Sequence, residues 1–136
     1  VASIVALGAA SHAALSDLDD RAMHYRTLRD ALWSQLSASI PRLTRHTPSS
    51  SLPNTLSVSF PDVLGADVLR HAPAVAASTG SACHSGTEHP SAVLTAMGVG
   101  HAEAMGTVRL SLGHGTTAQD VIQAARTLTK AFAQAQ

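Results

Sequence analysis

The sequence TLSVSF at residues 55–60 is the most informative stretch for predicting the fold. In it Leu56, Val58 and Phe60 alternate with small polar residues. A period of two predicts a strand with one buried face and one polar face. A second stretch, TVRLSL at residues 107–112, alternates in the same way and places Arg109 among its polar residues. Residues 42–47 and 75–78 are predicted as two further short strands.

The longest helical pattern covers residues 16–40. Its apolar residues recur four apart from Leu28 to Ile40, which is typical of an amphipathic helix, and Pro41 then stops it. The alanine-rich residues 1–15 predict a second helix, mostly buried.

Shorter helices are predicted at residues 65–70 and 91–97. A closing amphipathic helix follows Thr117, because Thr117 with Asp120 forms a capping-box pattern. Helices flanking a small, largely antiparallel sheet make the fold class α+β. The length of 136 residues suits one domain. Residues 1–40 are predicted to form the interdomain and first helices. Residues 41–136 are predicted to contain the sheet, the cysteine loop and the terminal helix.

Composition excludes several function classes. The formal net charge is zero and aromatic residues make up 3% of the chain, so neither the basic face nor the stacking platform of a nucleic-acid binder is present. The apolar residues 1–10 are too few to span a membrane. One cysteine cannot form an intrachain disulfide, and this indicates a reducing, cytoplasmic location. The first residue is not methionine, which suggests a fragment of a longer protein.

Cys83 is the candidate nucleophile. It lies in residues 79–86, a stretch of small residues that leaves a thiol accessible, and a thiolate needs such exposure to react. The alternative is a small buried side chain, but Gly80 and Gly86 on either side argue against burial.

Arg109 is the candidate binding residue, because a guanidinium on a strand is a rigid, bidentate clamp for a carboxylate. The alternative is an ordinary arginine on a solvated sheet face, which the residues alone favour. A metal site at Cys83, His84 and His89 lacks a recognisable fourth ligand and is not expected. Lys130 is the only lysine, and no glycine-rich phosphate loop lies near it in the sequence, so the chain alone is not expected to bind pyridoxal phosphate.

Three motifs in order, LPNTLSVSF at 52–60, STGSACHSG at 78–86 and VRLSLG at 108–113, resemble the C-terminal domain of cysteine desulfurases. The resemblance covers nearly the whole chain. It implies the class V aminotransferase fold (pyridoxal-phosphate fold type I). In that family a large cofactor domain precedes this small domain, and the enzyme is a homodimer.

The resemblance also implies roles. In the complete enzyme, which uses pyridoxal phosphate, Cys83 would take sulfur from L-cysteine as a persulfide, release alanine and pass the sulfur to an acceptor protein, as in iron–sulfur cluster assembly. Arg109 would grip the substrate carboxylate. The isolated chain would be inactive, since the cofactor residues belong to the preceding domain. Two alternatives stay open: a selenocysteine lyase, which shares the fold and cofactor, and a non-catalytic partner-binding module.

Overall fold

The computed structural model describes residues 1–80 and 89–136. Helices and strands are mixed along these residues without internal repetition. In chain order they are α1 (Ala2–Ser16), α2 (Leu18–Ser39), β1 (Thr44–Arg45), β2 (Thr55–Ser59), α3 (Gly65–Arg70), α4 (Ala92–Ala96), α5 (His101–Met105), β3 (Thr107–Ser111) and α6 (Ala118–Ala135).

The strands form one antiparallel sheet in the order β1-β2-β3. Leu56 pairs with Leu110 and Val58 with Val108, and all four side chains are buried. Their face of the sheet belongs to the hydrophobic core shared with α2 and α6. The predicted α+β fold class, with a small antiparallel sheet, is confirmed.

The core is filled mainly by aliphatic side chains, because the chain has few aromatic residues. Leu28, Leu32, Leu36 and Ile40 supply one wall from the α2 side. Residues of α6 supply the other, and Phe132 of α6 contacts Phe60 with ring centroids 5.7 Å apart. Each fully buried leucine contributes about 1.5–3 kcal/mol relative to an exposed one.

The start of α6 follows the predicted capping box. The backbone N–H of Asp120 donates to Thr117 Oγ1 at 3.2 Å, and the backbone N–H of Thr117 donates to Asp120 Oδ2 at 2.8 Å. These bonds satisfy two N–H groups that a helix start would otherwise leave unpaired. The Thr117 hydroxyl also donates to Asp120 Oδ2 at 2.7 Å, and this bond, followed by the one from the Thr117 N–H, lowers the pKa of the Asp120 carboxyl. The predicted start of this helix is confirmed.

A glycine lets α5 lie close to the sheet. A Cβ at Gly106 would lie against the carbonyl oxygen of Phe60, which is backbone and cannot rotate away. The Gly106 carbonyl also accepts a hydrogen bond from the Phe60 N–H at 2.9 Å. Gly106 therefore fixes how closely the α5–β3 turn approaches the end of β2.

Three predictions about these elements need correction. The first helix forms, but every residue of α1 is exposed and Ile4 is 75% exposed, because no described element packs over it. Residues 75–78 do not form a strand: the Val75 N–H turns back to the Ala72 carbonyl, and only Ser78 pairs with the sheet. The short helix α5 was not predicted, since its five residues carry no clear apolar period.

No helix among the residues described here is long and apolar enough to cross a membrane.

Candidate functional site

One face of the sheet is polar, as the alternation in β2 and β3 predicts. Across the two strands its residues pair in register as Thr55 with Ser111, Ser57 with Arg109, and Ser59 with Thr107. We call these six residues the polar face. Hydroxyl groups make up all of it except Arg109, so this face offers small donors around one permanent positive charge.

Arg109 is exposed, and its side chain makes no hydrogen bond or ion pair with any residue in 1–80 or 89–136. Five other arginines, Arg21, Arg29, Arg42, Arg45 and Arg70, each pair with a carboxylate, whereas Arg26 and Arg126 resemble Arg109 in having no carboxylate partner among the described residues. A guanidinium without an internal carboxylate keeps its five donors for an external anion. The arrangement at Arg109 suits bidentate binding of a carboxylate.

The backbone of Arg109 holds the chain that leads to Cys83. Its N–H donates to the Ser78 carbonyl at 2.7 Å, and its carbonyl accepts from the Ser78 N–H at 3.2 Å. The Ser78 hydroxyl donates to the Gly80 carbonyl at 2.6 Å and accepts from the Gly80 N–H at 3.2 Å. Residues 78–80 are thereby fixed beside the strand that carries Arg109. Cys83 itself lies outside the described residues.

The Ser59 end of the polar face is closed by a buried polar cluster. Ser59 Oγ lies 2.6 Å from Thr107 Oγ1 and 2.7 Å from His46 Nε2, and it donates to the Glu103 carbonyl at 2.8 Å. His46 Nε2 and Ser59 Oγ form one hydrogen bond of this cluster, and the tautomer of His46 sets which of the two atoms donates. A carboxylate oxygen of Glu103 lies 3.6 Å from the same nitrogen.

This cluster fixes α5 over one end of the polar face. Ser59 is 2% exposed and Thr107 is 3% exposed, whereas Arg109 and Ser111 are exposed. An external anion can therefore reach Arg109 but not the neighbouring hydroxyl pair. Sequence reasoning missed His46 and Glu103, because α5, the helix that brings Glu103 over the sheet, was not predicted.

The acidic side chains near the sheet are engaged elsewhere. Asp30 of α2 accepts hydrogen bonds from Arg29 and Arg45, and these lower the pKa of its carboxyl, with Arg29 contributing most. Arg45 also lies over the Trp33 ring, 5.8 Å from its centroid. Arg45 pairs with Val58, so this charge cluster lies toward the covered face of the sheet. The Asp30 carboxylate is therefore not available to Arg109 on the polar face.

A cavity of about 760 Å³ lies beside α5, at the Ser59 end of the polar face and not at Arg109. Its lining includes Arg42, Asp62 and His101, and Arg42 forms an ion pair with Asp62. Neither Arg109 nor Ser78 lines it. The sequence-predicted binding residue therefore lies on an open surface, to which a second surface must be added to form a closed site.

Lys130 does not lie in a cofactor site. It lines a surface groove between α2 and α6, with Arg126 one helical turn away and alanine, serine, threonine and glutamine as the other lining residues. Pyridoxal phosphate is held beside a phosphate-binding site as well as on a lysine, and this groove lies between two helices and contains neither a glycine-rich loop nor a carboxylate in its lining. The residues at Lys130 do not fit pyridoxal phosphate.

The described residues contain no group of three histidine, cysteine, aspartate or glutamate side chains that could hold a metal ion. His89 is among those residues. Cys83 and His84, the other two members of the metal hypothesis, lie outside them.

The fold is a small α+β domain, a three-stranded antiparallel sheet with helices packed on its covered side. Its polar face carries an arginine suited to binding an anion. The family model described as Aminotransferase class-V matches residues 1–123. The chain therefore belongs to the class-V aminotransferase family.

Similar proteins agree with this assignment. The chain is 35% identical over 136 residues to the cysteine desulfurase NifS of Azotobacter vinelandii, covering 98% of this chain and 34% of that protein. It is 40% identical over 125 residues to the cysteine desulfurase IscS of Methanosarcina thermophila, covering 89% of this chain and 30% of that protein. A solved NifS-like protein superposes with a TM-score of 0.74 at 30% identity, over 89% of this chain and 30% of that chain.

The resemblance to cysteine desulfurases drawn from the three motifs is thus confirmed at the level of the family. The chain spans about a third of the length of the curated relatives it matches.

Proposed function

We propose that this chain is the C-terminal domain, residues 1–136, of a pyridoxal-phosphate-dependent cysteine desulfurase. The observation that carries the proposal is the backbone pairing of Ser78 with Arg109, which fixes the start of the cysteine segment beside the only cation of the polar face. Cys83 follows Gly80 by three residues, and three residues span at most about 11 Å even when extended. The segment that leads to Cys83 therefore starts beside the proposed carboxylate clamp, and this supports a joint role for Cys83 and Arg109.

The residues of this chain would act on L-cysteine in two ways. Arg109 would grip the α-carboxylate and so fix the orientation of the substrate. The Cys83 thiolate would form a bond to the substrate sulfur as the bond from that sulfur to carbon breaks. The persulfide stays on Cys83, and the carbon fragment takes up a proton and leaves as alanine. The sulfur would then pass to an acceptor protein, as in iron–sulfur cluster assembly.

The cofactor belongs to a different part of the enzyme. Pyridoxal phosphate, when bound, supplies the electron sink that makes the carbon–sulfur bond breakable. The surroundings of Lys130 do not fit it, so we assign the cofactor lysine to a large domain that precedes these residues. The chain alone would then be inactive, and the complete enzyme would be a cytoplasmic homodimer.

Helix α1 supports a large-domain partner. Its bulky side chains Ile4, Val5, Leu7 and Leu15 are all exposed, and alanines occupy the opposite side of the helix. A helix without a polar side is typical of the interior of a larger protein. A second copy of α1 would cover one stripe of it and leave the rest in water. A domain that surrounds the helix covers both sides, so we propose that residues 1–40 join the large domain.

The test is sulfur transfer by the natural polypeptide that carries these 136 residues. With L-cysteine as the substrate, we expect one alanine for each sulfur transferred, and we expect Cys83→Ala to abolish transfer while pyridoxal-phosphate absorbance is retained. Cys83→Ser controls for the volume of the side chain. Persulfide transfer that survives in Cys83→Ala would contradict the role of Cys83. A strong preference for selenocysteine over cysteine would support the selenocysteine lyase alternative.

A further inference from the structure

Ser57 lies directly opposite Arg109 in the closest kind of cross-strand pair. Its backbone N–H donates to Thr47 Oγ1 at 2.7 Å, and its carbonyl accepts from the His46 N–H at 2.9 Å, so both groups point toward the β1 side. The backbone N–H and carbonyl of Arg109 point the other way, to Ser78. Ser57 and Arg109 therefore form a non-hydrogen-bonded pair, in which Cα atoms are about 4.5 Å apart and side chains are at their closest.

The Ser57 hydroxyl makes no hydrogen bond with any residue that the structure describes. The Ser59 hydroxyl, two residues along the same strand and on the same face, contacts His46, Thr107 and the Glu103 carbonyl. A serine hydroxyl carries one proton and two lone pairs. At Ser57 this capacity is directed to the open part of the polar face, where Arg109 also lies.

An aspartate opposite an arginine would be the ordinary way to stabilise a sheet, since oppositely charged cross-strand pairs are favourable. The chain has a short hydroxyl there instead. The simplest alternative is that Ser57 is one of many small polar residues on a solvated face. In that alternative the Ser57 hydroxyl has no role in binding, and any small residue at this position would give the same KM.

We propose that Ser57 is a second substrate-binding residue, which donates its hydroxyl proton to the same carboxylate that Arg109 grips. A carboxylate has about four acceptor positions, and a guanidinium fork uses two of them. Ser57 would take a third and would hold the anion on the β2 side of Arg109. Because Ser57 is neutral, unlike an aspartate at this position, it does not form an ion pair that would occupy the Arg109 guanidinium. This inference depends on the proposed role of Arg109 as a carboxylate clamp.

The test measures kcat and the KM for L-cysteine in the natural polypeptide. Loss of one neutral hydrogen-bond donor in Ser57→Ala should raise KM roughly 5-fold, with kcat unchanged, and Ser57→Thr should restore KM because it keeps the hydroxyl. Ser57→Asp should raise KM more, by roughly 50-fold, because it supplies a competing carboxylate opposite Arg109.

Thr55→Asp is the matched control. Thr55 lies on the same strand and face, but it pairs with Ser111 and is only a diagonal neighbour of Arg109, at about 7–8 Å. We expect a smaller rise in KM, which salt at about 0.5 M should largely remove, since exposed charges at that separation are well screened. The rise in Ser57→Asp should persist at that salt concentration.

Equal KM values for Ser57→Ala, Ser57→Thr and the unsubstituted enzyme would overturn the inference, as would equal effects of Ser57→Asp and Thr55→Asp. If Ser57→Asp does not fold, the alanine and threonine variants decide the matter alone. Arg109→Ala distinguishes the proposed role of Arg109 from the proposed role of Ser57. An unchanged KM in Arg109→Ala removes the clamp and Ser57 together. A raised KM there, with normal Ser57 variants, rejects Ser57 only.

Discussion

The two neighbouring pairs of the polar face, Ser59 with Thr107 and Ser57 with Arg109, lie one step apart in the same register and have opposite environments. The first pair is buried beneath α5, and its hydroxyls are fully engaged with His46 and Glu103. The second pair is more accessible, with Arg109 exposed and Ser57 half-buried, and its polar side chains have no partner among the described residues. One end of the face therefore holds the structure together, and the other is left available for a ligand.

Substitution of Gly106 should have the largest effect on the closed end. In Gly106→Ala the new methyl group would meet the Phe60 carbonyl, so α5 or β2 must shift. We expect the free energy of unfolding of the 136-residue chain to fall by about 3 kcal/mol, the upper end for overpacking. Denaturant titration followed by circular dichroism measures this change.

Gly100→Ala is the control for that variant. Gly100 precedes α5 with φ −60°, and a Cβ there meets nothing within 4 Å. Its stability should change by less than about 0.5 kcal/mol. If both variants lose the same stability, close approach at Gly106 is not what fixes α5.

Removal of the Ser59 hydroxyl should have a smaller effect. Ser59→Ala removes the hydroxyl that contacts His46 Nε2 and Thr107 Oγ1, and Thr107 keeps only its longer bond to the Glu103 carbonyl at 3.3 Å. This loss should cost about 2 kcal/mol of unfolding free energy. Ser57→Ala, on the same strand and face, should cost less than about 0.5 kcal/mol because its hydroxyl is open to water. Equal losses of stability in the two variants would contradict the claim that the Ser59 hydroxyl stabilises the fold and the Ser57 hydroxyl does not.

The sequence predicts the sheet well because alternation reports burial directly. Leu56, Val58 and Phe60 were assigned to the covered face from spacing alone, and all three are buried. The capping box at Thr117 was equally local, and it formed as predicted. Structural features that depend on the chemistry of a few adjacent residues can be predicted from the sequence.

Features that depend on distant contacts were not predicted. The apolar sequence of α1 indicated burial, but burial requires a partner element, and none of the described residues supplies one. The buried cluster joins His46, Ser59 and Glu103, which are far apart in the sequence and carry no shared pattern. The pairing of Ser78 with Arg109 is a single bridge, too short to leave a periodic signal.

The candidate site was predicted in part. The sequence placed Arg109 on the polar side of a strand, and the structure adds that the described residues offer it no carboxylate. Its role as a clamp stays a prediction, as does the role of Cys83. Neither follows from the fold alone, because both require a substrate and a second domain.

The most direct test of the account is the KM for L-cysteine of the natural polypeptide with Arg109→Ala and Arg109→Lys. Loss of a bidentate, charge-assisted contact worth about 3 kcal/mol should raise KM roughly 100-fold in Arg109→Ala. Arg109→Lys keeps the charge but not the planar fork, so it should raise KM roughly 10-fold. An unchanged KM in Arg109→Ala, with the fold and cofactor absorbance intact, would contradict the proposal that the open end of the polar face binds the substrate.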